Sequence, residues 1–537
     1  MNWRISDLLS ADCGYMYGKN WNLQDRDIQK AMPSIRQAVN DVETIRRDGK
    51  GPTGELVLFP HLPYILSEDL LMDEKERQQL AKLEASATSI DVVVSIGIGG
   101  SYLGNKALFD AFCGPYWNMG LASERQLPQV FFAGQNADPE SLSALIRYLE
   151  EKAKATAKQL NIVLLVISKS GSTIESMSAF YALYPRLSAI CHVEVITITD
   201  KQHELLLSQS QEKHWMHFSV PEGVGGRFSV LSQVGIVFCA LCGIDYQEMI
   251  QGAKECDLAC QGKDWKENPA LALALFRYLA TVSRGVTAEV VMPYGDRLNS
   301  FGRWYAQLMA ESLGKAKNRQ GETIHYGRTL VPSLGTTDMH SMTQEHQEGK
   351  NNKLIQFITV QNMDTSMPVH FQEGNVTGTV DIGRIMKTAP RANAEALASE
   401  QRMSCHIALP AVTPRTMGGL FYFFMLTVAY EGGLAGINAF DQPGVETYKK
   451  IMHSYLKGYM QIQRKWIAVG IGVLLLVLGG ISVLSLSEQE EVENMAASDF
   501  REENEYTDTE KDSNGQRRAV RVYDTALYLR ARPPTDP

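Results

Sequence analysis

Short apolar runs bounded by Gly, Ser or Asp alternate along this chain with stretches whose apolar residues recur at helical spacing. The runs predict buried strands and the spaced stretches amphipathic helices, an alternation that marks parallel α/β layers. In a first block, Asp91–Ile96, Gln129–Phe132, Ile162–Ser168 and Val193–Thr199 have strand length, with helical segments such as Ser141–Gln159 between them. A second block has strands at Glu289–Pro293, Leu354–Val360 and Cys405–Leu409, and helices near Asp296–Gly314, Asn393–Met403 and Thr416–Tyr430. Helical pattern fills Val230–Arg284 between the blocks, and a last helix is predicted at Val445–Leu456. The layout is a helical N-terminal arm (1–60), a first α/β domain (61–220), a connecting helical segment (221–284), a second α/β domain (285–430) and a C-terminal helical segment (431–458).

The pattern then changes. Trp466–Leu486 is 21 residues without a charge, long enough as a helix to span roughly 30 Å of hydrocarbon. A single transmembrane helix is expected at 466–486. Arg464 and Lys465 precede it, and Glu488, Glu490, Glu491 and Glu493 follow it. That asymmetry predicts a cytoplasmic body anchored at the inner face of the membrane. The acidic tail, 487–537, is predicted to be disordered.

Composition adds exclusions. The chain has 537 residues, 44% hydrophobic and 21% charged, with a net charge of −9. Such a balance suits a globular protein and gives no basic face for nucleic acid. The first residues lack a basic segment followed by an apolar one, so no signal peptide is expected. Eight cysteines in a chain of this length do not suggest a disulfide framework. Cys239-x-x-Cys242 and Cys256-x-x-x-Cys260 loosely resemble a zinc pattern, but the first pair lies in Val230–Ile250, which reads as a buried helix. Buried thiols are the preferred reading, and neither metal nor cofactor is expected.

Candidate chemistry sits at strand–helix junctions. Ser168-Lys169-Ser170-Gly171-Ser172-Thr173 gathers hydroxyls and backbone N–H groups at a helix start, where orphan donors and the helix dipole favour a phosphate; the alternative is a cap serving only the helix. Ile96–Ser101 (IGIGGS) is a similar junction. A dinucleotide fingerprint would need glycine where Tyr102 stands, so a glycine turn approached by a small ligand fits better. Arg227 follows Gly225 and Gly226 and could stabilise a developing oxyanion, or simply face solvent. Gln307 and Glu311 share a helix face at i, i+4, where a buried carboxylate could shuttle protons and an exposed one would be a solvated face. His340 follows the Gly/Thr-rich loop at 335–337; His325 and His346 are equally plausible proton carriers from pattern alone. Asp441–Glu446 (DQPGVE) opens the last helix, with Lys449 just inside it.

Taken together, IGIGGS at 96–101, SKSGST at 168–173, GGR at 225–227, QLMAES at 307–312, GTTDMH at 335–340 and DQPGVE with its later lysine at 441–449 resemble the glucose-6-phosphate isomerase family, bacterial type, over roughly residues 1–458. The resemblance implies two sugar-isomerase (SIS) type α/β/α sandwiches with parallel sheets. It implies reversible aldose–ketose isomerisation of glucose 6-phosphate and fructose 6-phosphate through a cis-enediolate, without a cofactor. At matching positions it implies Ser101, Ser168, Lys169, Ser170 and Thr173 around the phosphate, and Gly226, Gln307 and Gln442 near the sugar. Glu311 would carry the proton between C2 and C1, Arg227 would steady the enediolate, and His340 and Lys449 would open the ring. In relatives the matching histidine comes from a partner subunit, implying a homodimer with a shared site. The span and tail are not typical of the family. A non-catalytic sugar-phosphate regulator and an isomerase that also accepts mannose 6-phosphate are the alternatives.

Overall fold

Two sheets carry the fold of the computed structural model, which describes residues 1–18, 21–201, 204–373, 376–459, 508–511 and 517–520. A hairpin of β1 (Asn2–Ile5) and β2 (Leu9–Asp12) opens the chain. The first block supplies β3 (Val92–Ile96), β4 (Gln129–Ala133), β5 (Asn161–Ile167), β6 (His192–Thr199) and β7 (Met216–Ser219). They are all parallel, in the order β4-β3-β5-β6-β7. Burial on both faces explains why β3 and β5 read as nearly unbroken apolar runs.

The second block supplies β8 (Ala288–Pro293), a short pair β9 (Lys315–Lys317) and β10 (Thr323–Tyr326), β11 (Thr329–Pro332), β12 (Lys353–Val360), a hairpin β13 (Pro368–Glu373) and β14 (Val376–Asp381), and β15 (Ser404–Leu409). Strands β15, β12, β8 and β11 are parallel, and β2 joins β15 antiparallel. In each sheet the chain leaves one strand first to one side and then to the other: β3 to β4 and β5, and β8 to β11 and β12. Beyond the carboxyl ends at such a reversal the loops diverge and leave a crevice. In the first sheet those loops are residues 97–101 and 168–173.

Helix Pro414–Leu434 is buried at every residue from Thr416 onward. It touches helix Tyr246–Ala259 backbone to backbone: a Cβ on Gly418 would lie 1.8 Å from the Met249 carbonyl, and one on Gly252 would lie 1.8 Å from that of Arg415. Beside it Arg277, Glu289, Arg328 and Glu431 form a neutral set of charges, all inaccessible to solvent. Tyr305 Oη donates to Glu289 at 2.9 Å and Tyr326 Oη to Glu431 at 2.7 Å, so these buried carboxylates have the multiple donors they require.

Several expectations are corrected. The N-terminal arm is not purely helical, because β1 and β2 extend the second sheet, which is therefore parallel only in part. Four-residue strands with no alternation are set by their partners, not by local pattern. The buried helix expected over Val230–Ile250 is a 3-10 turn and two helices, Gln233–Leu241 and Tyr246–Ala259, broken where Gly243 adopts φ +65°. The helix expected at Asn393–Met403 starts at Ile382, and His340 lies in the first turn of helix Met339–Glu348, not on a loop.

Met1–Gln442 is one compact unit and Pro443–Pro537 a second. In the second, residues 443–459 are helical, and β16 (Asp508–Lys511) pairs antiparallel with β17 (Arg517–Val520). Apart from that ladder, the tail expected to be disordered, 487–537, lies outside the described residues. The span expected at 466–486 lies outside the described residues, among which no helix is long and apolar enough to cross a membrane.

Candidate active site

The loop after β5 folds its hydroxyls together. Ser168 Oγ donates to Thr173 Oγ1 at 3.2 Å, and Ser170 Oγ lies 3.3 Å from the same atom. Thr173 is the N-cap of helix Ile174–Ser188 yet makes no side-chain cap bond, so these hydroxyls are not spent on the helix. The first N–H groups of that helix stay available to an anion. Lys169 Nζ reaches across to the Val224 carbonyl at 3.1 Å, which ties this loop to the segment leading into Arg227.

The glycine turn after β3 closes on the same region. A Cβ on Gly100 would lie 2.0 Å from the Gly226 carbonyl, so only glycine permits this approach. Ser101 ends the 3-10 turn Gly99–Ser101, partly buried.

Arg227 is 2% exposed and fully engaged. Its Nε donates to Ser312 Oγ at 2.7 Å, Nη1 to Gln442 Oε1 at 2.6 Å, and Nη2 to the Ala439 carbonyl at 2.7 Å and the Asp441 carbonyl at 3.2 Å. Nη1 also faces Glu311 Oε2 at 3.5 Å. Burial pulls the arginine's pKa below its ordinary value, while Glu311 and Asp441 pull the other way. The result is a fixed cation aimed at one carboxylate.

Glu311 lies near the end of helix Asn299–Leu313, and Gln307 Nε2, one turn earlier, donates to its Oε1 at 3.0 Å. Gln307 Oε1 is buried and has no hydrogen-bond partner among the described residues, an unspent acceptor. Thus Glu311, Arg227, Gln307 and Gln442 share one cluster, with Gly226 beside Gly100, and the 168–173 loop joined to it through Val224. His340 is exposed and makes no side-chain hydrogen bond or ion pair among the described residues. Lys449 belongs to the second unit, where it pairs with Glu446 at 3.3 Å. Cys239, Cys242, Cys256 and Cys260 are buried, and burial raises the thiol pKa of Cys239, Cys242 and Cys256.

The phosphoglucose isomerase family model matches residues 81–465. The chain belongs to that family. It is 33% identical over 416 residues to glucose-6-phosphate isomerase of Carboxydothermus hydrogenoformans, covering 76% of this chain and 86% of the relative. It is 34% identical over 497 residues to that of Rippkaea orientalis, covering 88% of each chain. A Thermus thermophilus structure, that of the hypothetical protein TT0462, aligns with a TM-score of 0.68 at 27% identity, covering 83% of this chain and 99% of that one. A Chlamydia trachomatis glucose-6-phosphate isomerase structure aligns with a TM-score of 0.70 at 20% identity, covering 87% and 92%, and speaks for the fold.

For this phosphoglucose isomerase family member, sequence pattern alone missed three groups around the arginine. Ser312 accepts from its Nε, Asp441 supplies a carbonyl, and Lys315, 8% exposed, donates to the Glu311 carbonyl at 2.5 Å and the Asp441 carbonyl at 2.8 Å. The available signal was adjacency: Ser312 and Asp441 lie inside the QLMAES and DQPGVE motifs.

Proposed function

We propose that the chain interconverts glucose 6-phosphate and fructose 6-phosphate, a reading in line with relatives named glucose-6-phosphate isomerase. The observation that carries this reading is the meeting of a buried, fully hydrogen-bonded Arg227 with the Glu311 carboxylate at 3.5 Å. Moving a carbonyl by one carbon requires taking a proton from C2 or C1 and returning it to the neighbour. Glu311 can do both, because Gln307 and Arg227 hold its two oxygens in one orientation. The enediolate formed between these steps bears negative charge, which Arg227 meets without reorganising. Ser168, Ser170, Thr173 and the N–H groups beyond them hold the phosphate, with Lys169 and Ser101 alongside. Gln307 and Gln442 orient the sugar.

Ring opening falls to His340 and Lys449. The exposed His340, without a side-chain partner among the described residues, suits a residue completed by a second copy of the chain, which supports a homodimer with a shared site. The uncharged stretch 466–486 begins just past the last residue matched by the family model, which supports an appended membrane anchor behind a cytoplasmic body. The deciding experiment is a coupled assay of the purified chain with fructose 6-phosphate. Formation of glucose 6-phosphate is expected, and its absence at high enzyme concentration would overturn the reading.

A further inference from the structure

Lys315 follows Gly314, the C-cap of the helix that carries Glu311. A lysine after a helix end ordinarily reaches into water, yet this one is folded back and buried. Its ammonium meets the Glu311 backbone carbonyl, one of the orphan acceptors of the last turn. It also meets the Asp441 carbonyl, and the Asp441 carboxylate at 3.3 Å. Burial and the neighbouring Arg227 lower its pKa, with Asp441 and Glu311 opposing them. Two cations are therefore buried close together, a costly arrangement offset here by the carbonyls and carboxylates that both meet.

The Asp441 carbonyl is the shared point, accepting from both Arg227 Nη2 and Lys315 Nζ. Residues 439–442 provide three of the acceptors that fix the guanidinium. Lys315 thus grips the backbone of Glu311 on one side and the segment that holds Arg227 on the other. We propose that Lys315 is a positioning residue that locks the spacing between the Glu311 carboxylate and the Arg227 guanidinium. This inference rests on the isomerase reading above. Lys315 touches no substrate in this scheme and acts through both partners. Losing it leaves the phosphate loop untouched but lets the carboxylate and the cation drift apart, and displacements of about 1 Å can reduce rate by roughly a hundredfold.

The test is Lys315→Met, which keeps the stem and removes the ammonium. Expected is a fall in kcat of about ten- to a hundredfold with KM for fructose 6-phosphate within about threefold of the parent. Affinity for a phosphorylated aldonohydroxamate, which mimics the planar enediolate, should fall by the same factor as kcat. Affinity for inorganic phosphate should not move. Should Lys315→Met not fold, Lys315→Gln gives the same readout, because its neutral amide ends one bond short of the ammonium and carries no charge. Parent-like kcat and hydroxamate affinity in the variant would overturn the inference, as would phosphate affinity falling in step with kcat. Turnover by the parent chain is scored separately and decides only the isomerase reading.

Discussion

Gly99 and Gln307 approach so closely that a Cβ on the glycine would lie 3.0 Å from the glutamine's Nε2. Gly99 also adopts φ +57°, where a side chain is strained. The same Nε2 holds Glu311, so crowding at the turn is transmitted to the carboxylate. Gly99→Ala should lower kcat/KM by about tenfold or more, because misplaced catalytic groups lose the benefit of orientation. Steady-state kinetics with fructose 6-phosphate checks this, and an unchanged value would detach Gln307 from the orientation of Glu311.

Glu311→Gln keeps the shape of the side chain and removes its basicity. Turnover should fall by at least about a hundredfold while binding persists. Calorimetric titration with fructose 6-phosphate alongside the assay separates the two effects.

Ser168→Ala combined with Thr173→Val removes two of the four hydroxyls of the proposed phosphate loop. KM for fructose 6-phosphate should rise by about tenfold or more, since each charge-assisted hydrogen bond contributes about 1.5–3 kcal/mol. Inhibition by inorganic phosphate should weaken in parallel. Retained phosphate inhibition would place the anion elsewhere.

With Arg227 proposed as the cation that meets the enediolate, saturating EDTA should leave the rate unchanged. A rate lost to EDTA and restored by a divalent ion would assign that charge to a metal.

The buried charges below the site predict an acid-sensitive fold. Burial pushes the Glu289 carboxyl up, but Arg277 and Arg328 outweigh it and leave its pKa below the ordinary value. Its stabilising contribution is therefore complete above the unfolded carboxylate pKa of about 4.3 and is lost as pH falls through the lower folded value. Arg328→Met strands Glu289 and Glu431 with fewer donors and should destabilise the chain by about 3–5 kcal/mol. Chemical denaturation at pH 7 measures that loss, which should shrink as pH falls, because protonation removes the unpaired charge of the stranded carboxylates.

Legibility followed burial. Strands β3, β5, β6, β8, β12 and β15 are visible in the sequence because sheets covered on both faces need consecutive apolar residues. The four-residue strands β1, β2, β7 and β11 are not, since strands so short depend on a neighbour for their existence. The i, i+4 spacing of Gln307 and Glu311 correctly puts them on one face, and the structure adds the bond between them. Nothing local marks Lys315, whose ordinary fate after a helix end is solvent. Nor can spacing rank His340 above His346; the structure separates them, since His346 is buried and His340 exposed. Helix Pro414–Leu434 also shows that a long apolar run can be core in this chain, so length alone does not identify a bilayer segment.

The guanidinium at the centre of the site is made long before the groups that hold it. Ala439, Asp441 and Gln442 follow Arg227 by 212, 214 and 215 residues. During synthesis, both sheets can therefore leave the ribosome while this arginine still points into water. The cradle of the guanidinium therefore closes only with the final stretch of the first unit, and a chain ending before Ala439 would leave Arg227 without three of its acceptors.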